Sequence, residues 1–499
     1  MSLSPEKASS DTVQVGQEGD SSTSNLAPFE ADWTVEEERR LVRRIDSIVM
    51  PLLMLAFFAL QLDRGNIGNA LTDFFLRDVG ITQDQYNVGQ QLLSLGIVVL
   101  EIPSNYVLYR IGPTVWISGQ IIAWSLVATF QAFQKGLGAF LSTRLLLGYV
   151  PTLNYVRFIP AGLYTITRWY KRDETSKRFS WFFIGNMVAQ AISGLVAYGV
   201  LQMRGICGLG GWQWLFLQIE GLFGILVGII FILFFPQSTA NPVNLLRTQY
   251  FTERETQILV RRLLLDDPSK HHRHKNITRQ EILRTLGNWR LYPHVILTIA
   301  GLAPSSTMWS YAPTLINSFG YPRLKSNALV SVGQWLQLVL NVLWGMAADK
   351  LGKRGPMVVS GMLLWWVFAL ANRLAIYSHN HQERYALLTL AITVSTIWHP
   401  VNGSWMALNA RTAGERSITL AIFIMAANSS GIVGSQLFQA SDAPLYRVGW
   451  TTIIALASVA LFFSVFAVVQ YWVLNRWGEG RSGEIDDKVC AKALAEEVN

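Results

Sequence analysis

The feature that most constrains this chain is the recurrence of long apolar segments. Twelve segments of about 20 residues, the length that an α-helix needs to cross a membrane, carry few charges. They fall near residues 47–67, 86–108, 114–134, 139–165, 179–202, 212–236, 291–316, 326–348, 356–378, 384–407, 418–438 and 449–474. Because a backbone in lipid must satisfy its own hydrogen bonds, the pattern predicts an all-α polytopic membrane protein with twelve transmembrane helices.

The polar stretches between these segments define the domain organisation. Only 15% of the residues are charged and 51% are hydrophobic, whereas about a quarter of the residues of a soluble domain are charged. We predict a disordered cytoplasmic tail (1–46), a six-helix bundle (47–236), a cytoplasmic central loop (237–290), a second six-helix bundle (291–476) and a cytoplasmic tail (477–499). The run KHHRHK in the central loop is interpreted as a solvated face, and no nucleic-acid partner is expected.

The distribution of Lys and Arg predicts the orientation. Of the 41 Lys and Arg residues, 30 lie in segments that would share one side of the membrane with both termini. The loops of the opposite side hold only 7. Since short basic loops stay in the cytoplasm, we predict that both termini are cytoplasmic, and we expect the plasma membrane as the location.

The loop between the eighth and ninth segments carries a specific motif. Its sequence GMAADKLGKRGP contains the pattern G-x-x-x-D-x-x-G-x-R at Gly345, Asp349, Gly352 and Arg354. Glycine lets a helix and a turn approach closely, while the Asp and the basic residues can pair across helix ends as two halves rock. The pattern resembles the conformational loop motif of the major facilitator superfamily, which implies a fold of two six-helix bundles.

Longer strings resemble one branch of that superfamily. LDRGNIGNA, EIPSN, WYKRDETSKR, GWQWLF, WHPVNGSW and ANSSGIVGSQ, distributed over about residues 40 to 476, are similar to the fungal allantoate permease branch of the anion:cation symporter family. This resemblance implies proton-linked movement of small organic anions. Relatives of that branch carry allantoate, ureidosuccinate, nicotinate, pantothenate, biotin or sulfonates, so the resemblance does not select one substrate.

Asp63 and Arg64 form an adjacent charge pair inside the first segment. An ionisable residue within a membrane bundle is a functional hypothesis by default. The planar fork of Arg64 suits a carboxylate, sulfonate or ureide, and Asp63 can carry a coupled proton. The alternative is a pair that only neutralises itself near the end of the span. Galactonate and sialic acid members of the wider family use this position for substrate binding and coupling, which supports the functional interpretation.

Arg144, at the start of the fourth segment, is a candidate second contact for the anion. The alternatives are a member of a charge network with an acidic residue and a helix-end arginine that reaches the membrane interface. The family pattern R-x-x-x-G-x-x-E continues with a glutamate that looks like a proton carrier, but here the position holds Pro151. Residues 151–157 (PTLNYVR) are either a real divergence with altered coupling or an error in the gene structure, and both explanations remain open.

Neutral polar residues of the second half complete the candidate site. His399 is interpreted as the one histidine within a span, either a proton relay or a packing residue beside the kink at Pro400. Asn402 and Asn428 are candidate substrate contacts, although close helix packing also explains the small residues around Asn428.

Glu101 and Glu220, in the first half, are interpreted as structural residues that pair near the ends of spans.

The function predicted from these residues is secondary active transport of a small organic anion, by proton symport into the cell. The chain lacks a phosphate-binding glycine loop and a plausible catalytic set, so we expect no enzymatic activity, no cofactor and no metal. We expect a monomer in the lipid bilayer. The alternatives are an exporter of a small secondary metabolite and a nutrient sensor that does not transport.

Overall fold

The structure is a computed structural model that describes residues 32–111, 113–149, 158–266, 279–410 and 413–497. In these ranges nearly all regular structure is helical. The α-helices are α1 (Val35–Leu71), α2 (Phe75–Val79), α3 (Gln83–Ile111), α4 (Pro113–Gln131), α5 (Gly136–Tyr149), α6 (Phe158–Trp169), α7 (Arg172–Val200), α8 (Gly211–Trp214), α9 (Gly224–Phe234), α10 (Glu253–Asp266), α11 (Arg279–Leu286), α12 (Leu291–Ser318), α13 (Arg323–Leu351), α14 (Arg354–Leu374), α15 (His381–Val394), α16 (Trp398–Leu408), α17 (Ala413–Gly434) and α18 (Arg447–Glu497). A π-helical segment, Leu215–Phe223, joins α8 to α9.

The predicted spans coincide with these helices. Each of the twelve overlaps one helix or a consecutive series of helices. Among the described residues, seven stretches are long and apolar enough to cross a membrane as single helices: Val35–Leu71, Lys177–Met203, Gly211–Phe234, Arg323–Leu351, Arg354–Tyr377, Glu415–Gly434 and Arg447–Leu474. The tenth span is interrupted between α15 and α16, three to five residues before Pro400, because proline cannot donate the hydrogen bond that would continue the helix.

The first helix begins earlier than the sequence analysis predicts. It starts at Val35, so the predicted boundary of a disordered tail at residue 46 is wrong. The cause is a capping box, in which the Thr34 side chain accepts from the Glu37 amide and the Glu37 carboxylate accepts from the Thr34 amide. Such a box satisfies two backbone donors that a helix start leaves unpaired.

The helices form two bundles, α1–α9 and α12–α18. The first bundle contacts the second through three helix pairs: α7 with α13, α3 with α17, and α1 with α12. Glycine permits the third contact. A Cβ atom at Gly68 of α1 would lie 2.8 Å from the carbonyl oxygen of Ser310 on α12, which is closer than real Cβ atoms approach. The interface between the bundles is therefore a close backbone contact at this point.

The two ends of the molecule can be distinguished by the chain segments that they carry. At one end, here called the terminal end, α10 packs against the start of α1. The buried Arg262 of α10 pairs with Glu174 at 2.9 Å and with Glu38 at 3.4 Å. Arg290, which precedes α12, lies over the ring of Tyr471 in α18 at this same end. The opposite end, here called the distal end, carries the connections from α1 to α3 and from α7 to α8.

Candidate functional site: a buried charge cluster in the first bundle

The structure brings together three charged side chains inside the first bundle. Asp63 of α1 is 8% exposed, and Arg144 of α5 and Glu220 of the π-helical segment are each 3% exposed. Arg144 interacts electrostatically with both carboxyl groups and with the Tyr86 phenol. We call Asp63, Arg144 and Glu220 the charge cluster. Its members come from three separate helical elements, so it exists only in the folded bundle.

Arg144 does not extend to a membrane interface. Its side chain is buried and lies against the Phe140 ring, with 5.3 Å between the guanidinium carbon and the ring centroid. Its Nε and Nη2 atoms are buried without a hydrogen-bond partner among the described residues. Burial of an unsatisfied donor is costly, so this guanidinium is arranged for an acceptor.

A second arginine shows what the same two atoms can hold. Nε of Arg178 donates to Oδ1 of Asp46 at 3.0 Å, and Nη2 donates to Oδ2 at 2.8 Å. These parallel bonds are the fork with which arginine binds a carboxylate. In Arg144 the same fork is directed into the buried interior without such a protein partner. A carboxylate, sulfonate or phosphate group has the chemistry that would satisfy it.

Glu220 differs from the sequence interpretation. It lies in the middle of its span, where it contacts the side chains of Asp63 and Asn66, although the Asn66 amide makes no hydrogen bond of standard geometry. It therefore does not pair near the end of a span. The signal was present in the sequence, because a single glutamate inside the apolar segment GWQWLFLQIEGLFGIL is itself a functional hypothesis.

Several predicted positions cannot be located in full. Arg64 is part of α1, but its side chain lies outside what the structure describes, as does that of Glu101. Pro151 and the rest of residues 151–157 also lie outside the described residues. The roles assigned to these positions stay predictions.

The predicted residues of the tenth span lie in the second bundle, apart from the charge cluster. His399 stacks on Phe423 with ring centroids 4.6 Å apart. Asn402 is fully buried, where its Oδ1 is 2.6 Å from Nδ1 of His294 and its Nδ2 donates to Thr298. The statement that His399 is the one histidine within a span is wrong, because His294 lies in the first turn of α12 and pairs with Asn402.

Asn428 is half-buried on α17. One turn further, Gly431 approaches the Ser94 hydroxyl of α3 so closely that a Cβ atom would lie 2.6 Å from it. Close packing between the bundles thus accounts for Gly431. The assignment of Asn428 to the substrate stays a prediction.

The loop motif connects three helices of the second bundle. Nη2 of Arg354 donates to Asp349 at 2.9 Å, and Nε donates to the Ser404 hydroxyl of α16 at 3.1 Å. Gly352 ends α13 with a φ of 64°, a left-handed conformation that favours glycine. At Gly345, a Cβ atom would have no described neighbour within 4 Å. The expected close approach is therefore absent there among the described atoms.

The distal end is closed by polar contacts between the two bundles. Asp73 is fully buried and accepts from Arg204 of its own bundle at 2.9 Å and from Arg323 of the second bundle at 2.6 Å. Other bonds that cross the interface include those from Asn327 to Thr72 at 2.9 Å and from Asn87 to the Phe438 carbonyl at 2.8 Å. We call these contacts of Asp73, Thr72 and Asn87 the distal closure, because they join the two bundles at the distal end.

A neighbouring ion pair supports the distal closure. Asp78 accepts from Arg204 at 2.7 Å and from the Trp212 indole at 3.1 Å. Burial favours the neutral acid, but these donors outweigh burial and hold the pKa of Asp78 below its ordinary value. The pair is therefore charged at neutral pH and is lost only as the pH falls through that lowered pKa. Mild acid leaves it intact.

Among the described residues, no group of three or more His, Cys, Asp or Glu side chains is placed to hold a metal ion. The cluster of two carboxyl groups and one guanidinium instead has the chemistry of an anion and proton site.

Comparison with known proteins identifies the family. Residues 53–435 match the Major Facilitator Superfamily. An uncharacterized transporter of Saccharomyces cerevisiae is 30% identical over 460 residues, which cover 91% of this chain and 84% of that protein. A protein of Agrobacterium vitis that is named as a candidate tartrate transporter is 26% identical over 331 residues, covering 66% of this chain and 70% of the other.

Solved structures show the same fold. A D-xylose–proton symporter gives a TM-score of 0.63 at 14% identity, covering 84% of this chain and 96% of that one. An inward-facing bacterial homolog of the human lysosomal transporter Spinster gives the same TM-score and identity and covers 86% and 96%. With its helical bundles, its buried charges and its match over most of its length, the chain belongs to the Major Facilitator Superfamily and is a multi-pass membrane transporter.

Proposed function

We propose that this protein imports a small organic anion together with protons. Arg64 and Arg144 hold the anionic group, and Asp63 carries a coupled proton. Asn402 and Asn428 are the predicted substrate contacts of the second bundle, and His399 is the alternative proton carrier if Asp63 does not serve. The fungal allantoate permease branch is the part of the superfamily that this assignment favours.

The observation that carries the proposal is the Arg144 fork. An arginine is rarely buried without an acceptor, and Nε and Nη2 of Arg144 have none among the described residues. The same atoms in Arg178 hold a carboxylate. An anionic group bound to Arg144 would lie beside Asp63 and Glu220, where its added negative charge favours protonation of a carboxylate. Binding of the anion and uptake of a proton are thereby linked.

The comparisons support this class of substrate. The name of the Agrobacterium vitis relative points to tartrate, a dicarboxylate. The similarity to the D-xylose–proton symporter concerns the fold alone. The anion class therefore rests on the charge cluster and on the relative's name together.

The test uses purified protein in proteoliposomes with an acid-outside gradient. Radiolabelled tartrate, nicotinate, pantothenate and allantoate are offered separately, with xylose as a neutral control. We expect accumulation of at least one anion, no accumulation of xylose, and loss of accumulation with a protonophore. Accumulation that ignores the protonophore would refute proton symport, and transport of neutral compounds alone would refute the anion site. An exporter would instead load its substrate against the gradient in inverted cell-membrane vesicles.

We further propose that the chain lies in the plasma membrane as a monomer, with the terminal end in the cytoplasm. The excess of Lys and Arg in the segments of that end supports this orientation. Epitope tags at residues 10 and 490 should be protected from external protease in intact cells and become accessible after permeabilisation. Cleavage of either tag in intact cells would reverse the assignment.

A further inference from the structure

We propose that Glu220 is a second proton-carrying residue of the charge cluster and that it shares protons with Asp63. This inference rests on the proposed proton symport and adds to it a residue that the sequence analysis assigned to structure alone. The two carboxyl groups belong to different helical elements, the π-helical segment and α1.

The backbone around Glu220, with two nearby glycines and a π-helical turn, fixes its position. On the side of α4, Gly221 faces the Thr129 hydroxyl and Gly224 faces the Ser125 hydroxyl so closely that neither position has room for a Cβ atom. These glycines bring the segment against α4, while Glu220 contacts Asp63 of α1. The local π-helix widens the turn that carries Glu220, a distortion that is frequent at functional sites.

The surroundings of Glu220 contain few groups that could compensate a charge. Arg144 of α5 interacts with both carboxyl groups, and Tyr86 of α3 interacts with Arg144. The facing side chain of Asn66 is neutral, as are the hydroxyl groups on α4. Arg64 follows Asp63 in the sequence, and its side chain is outside the described part. Oε1 of Glu220 is buried without a hydrogen-bond partner, so no donor stabilises a negative charge on this oxygen.

Charge balance gives this pair its role. Two carboxyl groups in contact resist double ionisation, because each charged group raises the cost of charging the other. When an anion occupies the Arg144 fork, it takes over part of the positive charge that stabilises the carboxylates. Protons then bind to the pair as the anion enters and leave as the anion leaves. The reaction is a reversible proton transfer between water and carboxylate oxygens, with no other bond made or broken.

The first experiment measures the carboxyl groups directly and needs no substrate. Infrared titration of the purified protein should show a band of buried protonated carboxyl groups that changes with pH. Because coupled groups titrate as a pair, Glu220→Gln and Asp63→Asn should each shift the midpoint of the same band. An unchanged band in Glu220→Gln would overturn the proposal.

The second experiment measures coupling in proteoliposomes with an anion that the wild-type protein accumulates. Glu220→Gln should lower the number of protons moved per anion and flatten the pH dependence of the apparent affinity, while Glu220→Asp should retain proton-driven uptake with a displaced pH profile. Glu174→Gln is the matched control, because Glu174 is a partly buried glutamate that pairs with Arg262 at the terminal end. It should leave the proton count unchanged.

The outcomes separate this proposal from the proposed function. Wild-type uptake that is independent of the proton gradient refutes proton symport whatever Glu220 does. Proton-driven wild-type uptake with an unchanged proton count and pH profile in Glu220→Gln refutes only the role of Glu220. If Glu220→Gln fails to fold, Glu220→Asp still tests the proposal. If the glutamate had only a structural role, the pH profile of uptake in Glu220→Asp would equal that of the wild-type protein.

Discussion

The two bundles share an architecture and differ in what they bury. Among the described residues, the first bundle buries the acidic and basic side chains Asp63, Asp73, Arg144, Arg178 and Glu220. The buried polar residues of the second bundle are neutral amides, hydroxyl groups and His294. A buried charged side chain needs a partner that compensates its charge. Buried charged side chains therefore occur together in the same bundle. The proposed anion and proton site accordingly lies in the first bundle.

Some neutral polar residues of the second bundle form hydrogen-bonded sets with one another. His294, Asn402 and Thr298 form one buried set. Gln337 forms another, donating to the Ser395 and Thr396 hydroxyl groups at 3.0 and 2.9 Å. These bonds join helices of the same bundle, namely α12 with α16 and α13 with the turn after α15. A bundle tied together in this way can move as a rigid unit against the first.

The largest expected effect on uptake comes from substitution of Arg144, the buried arginine of the charge cluster. Arg144→Ala should abolish uptake, because the anion loses its anchor. Arg144→Lys keeps the charge without the fork, so its apparent affinity should fall roughly tenfold or more, which corresponds to about 1.4 kcal/mol. Uptake kinetics and binding assays measure both.

Arg178→Lys is the matched control for this prediction. The arginine altered in this variant binds Asp46 through the same two nitrogen atoms and lies outside the charge cluster. The variant should therefore reduce protein yield without a tenfold change in the apparent affinity for substrate. Equal affinity losses in the two lysine variants would remove the distinction between the cluster and an ordinary ion pair.

The second-largest expected effect distinguishes proton coupling from substrate binding. Asp63→Asn resembles the protonated acid, so exchange of substrate across the membrane should survive while uphill uptake is lost. Counterflow and gradient-driven accumulation in proteoliposomes measure the two processes. If this variant still concentrates substrate, Asp63 is not required for coupling, and the coupled proton is carried by Glu220 or by a group of the second bundle.

A third effect concerns the interface between the bundles. Asp73→Asn removes the carboxylate that Arg204 and Arg323 share, which weakens an ionic contact between the two bundles. The distal end should therefore open more often. In an Asn327→Cys, Cys207→Ser background, labelling by a membrane-impermeant thiol reagent should become several-fold faster.

The control for the distal closure is Asp442→Asn, also at the distal end. Its carboxylate accepts from the Gly449 amide within the second bundle, so it should not change labelling of the interface. Equal labelling in wild type and Asp73→Asn would show that the ion pairs do not hold the distal end closed.

The smallest effect is expected in the second bundle. His399 stacks on Phe423 and has no charged partner among the described residues, so His399→Gln should keep proton-driven uptake with less than about a twofold change, within the range of ordinary surface or packing changes. The pH profile of uptake is the decisive measurement. Loss of coupling in this variant would transfer proton carriage to the second bundle and break the contrast between the bundles.

Part of the candidate site was predictable from local sequence. Asp63 and Arg144 stand out because charges in apolar segments are rare, and the structure places them within electrostatic reach of each other. Glu220 carried the same signal but was assigned to structure, since one sequence does not reveal which helix faces which. His294 was overlooked, and its partner Asn402 lies more than a hundred residues away along the chain.

The sequence by itself determined the class of the molecule. Apolar length fixes how often the chain can cross a membrane, and the backbone's need for internal hydrogen bonds makes those crossings helical. The loop motif likewise placed Arg354 and Asp349 within pairing distance, because they are close in sequence. These properties depend on neighbours along the chain, so they can be derived without knowing the packing.

Only the tertiary structure decided which charges meet. The charge cluster joins α1, α5 and the π-helical segment, and the distal closure joins Asp73 to arginines of both bundles. Such contacts depend on the rotation of each helix about its axis, and glycines at positions such as Gly68 and Gly224 set how near the helices come. A rotation of one residue, about 100°, would separate Glu220 from Asp63, because side-chain interactions of buried charges act over a few ångströms.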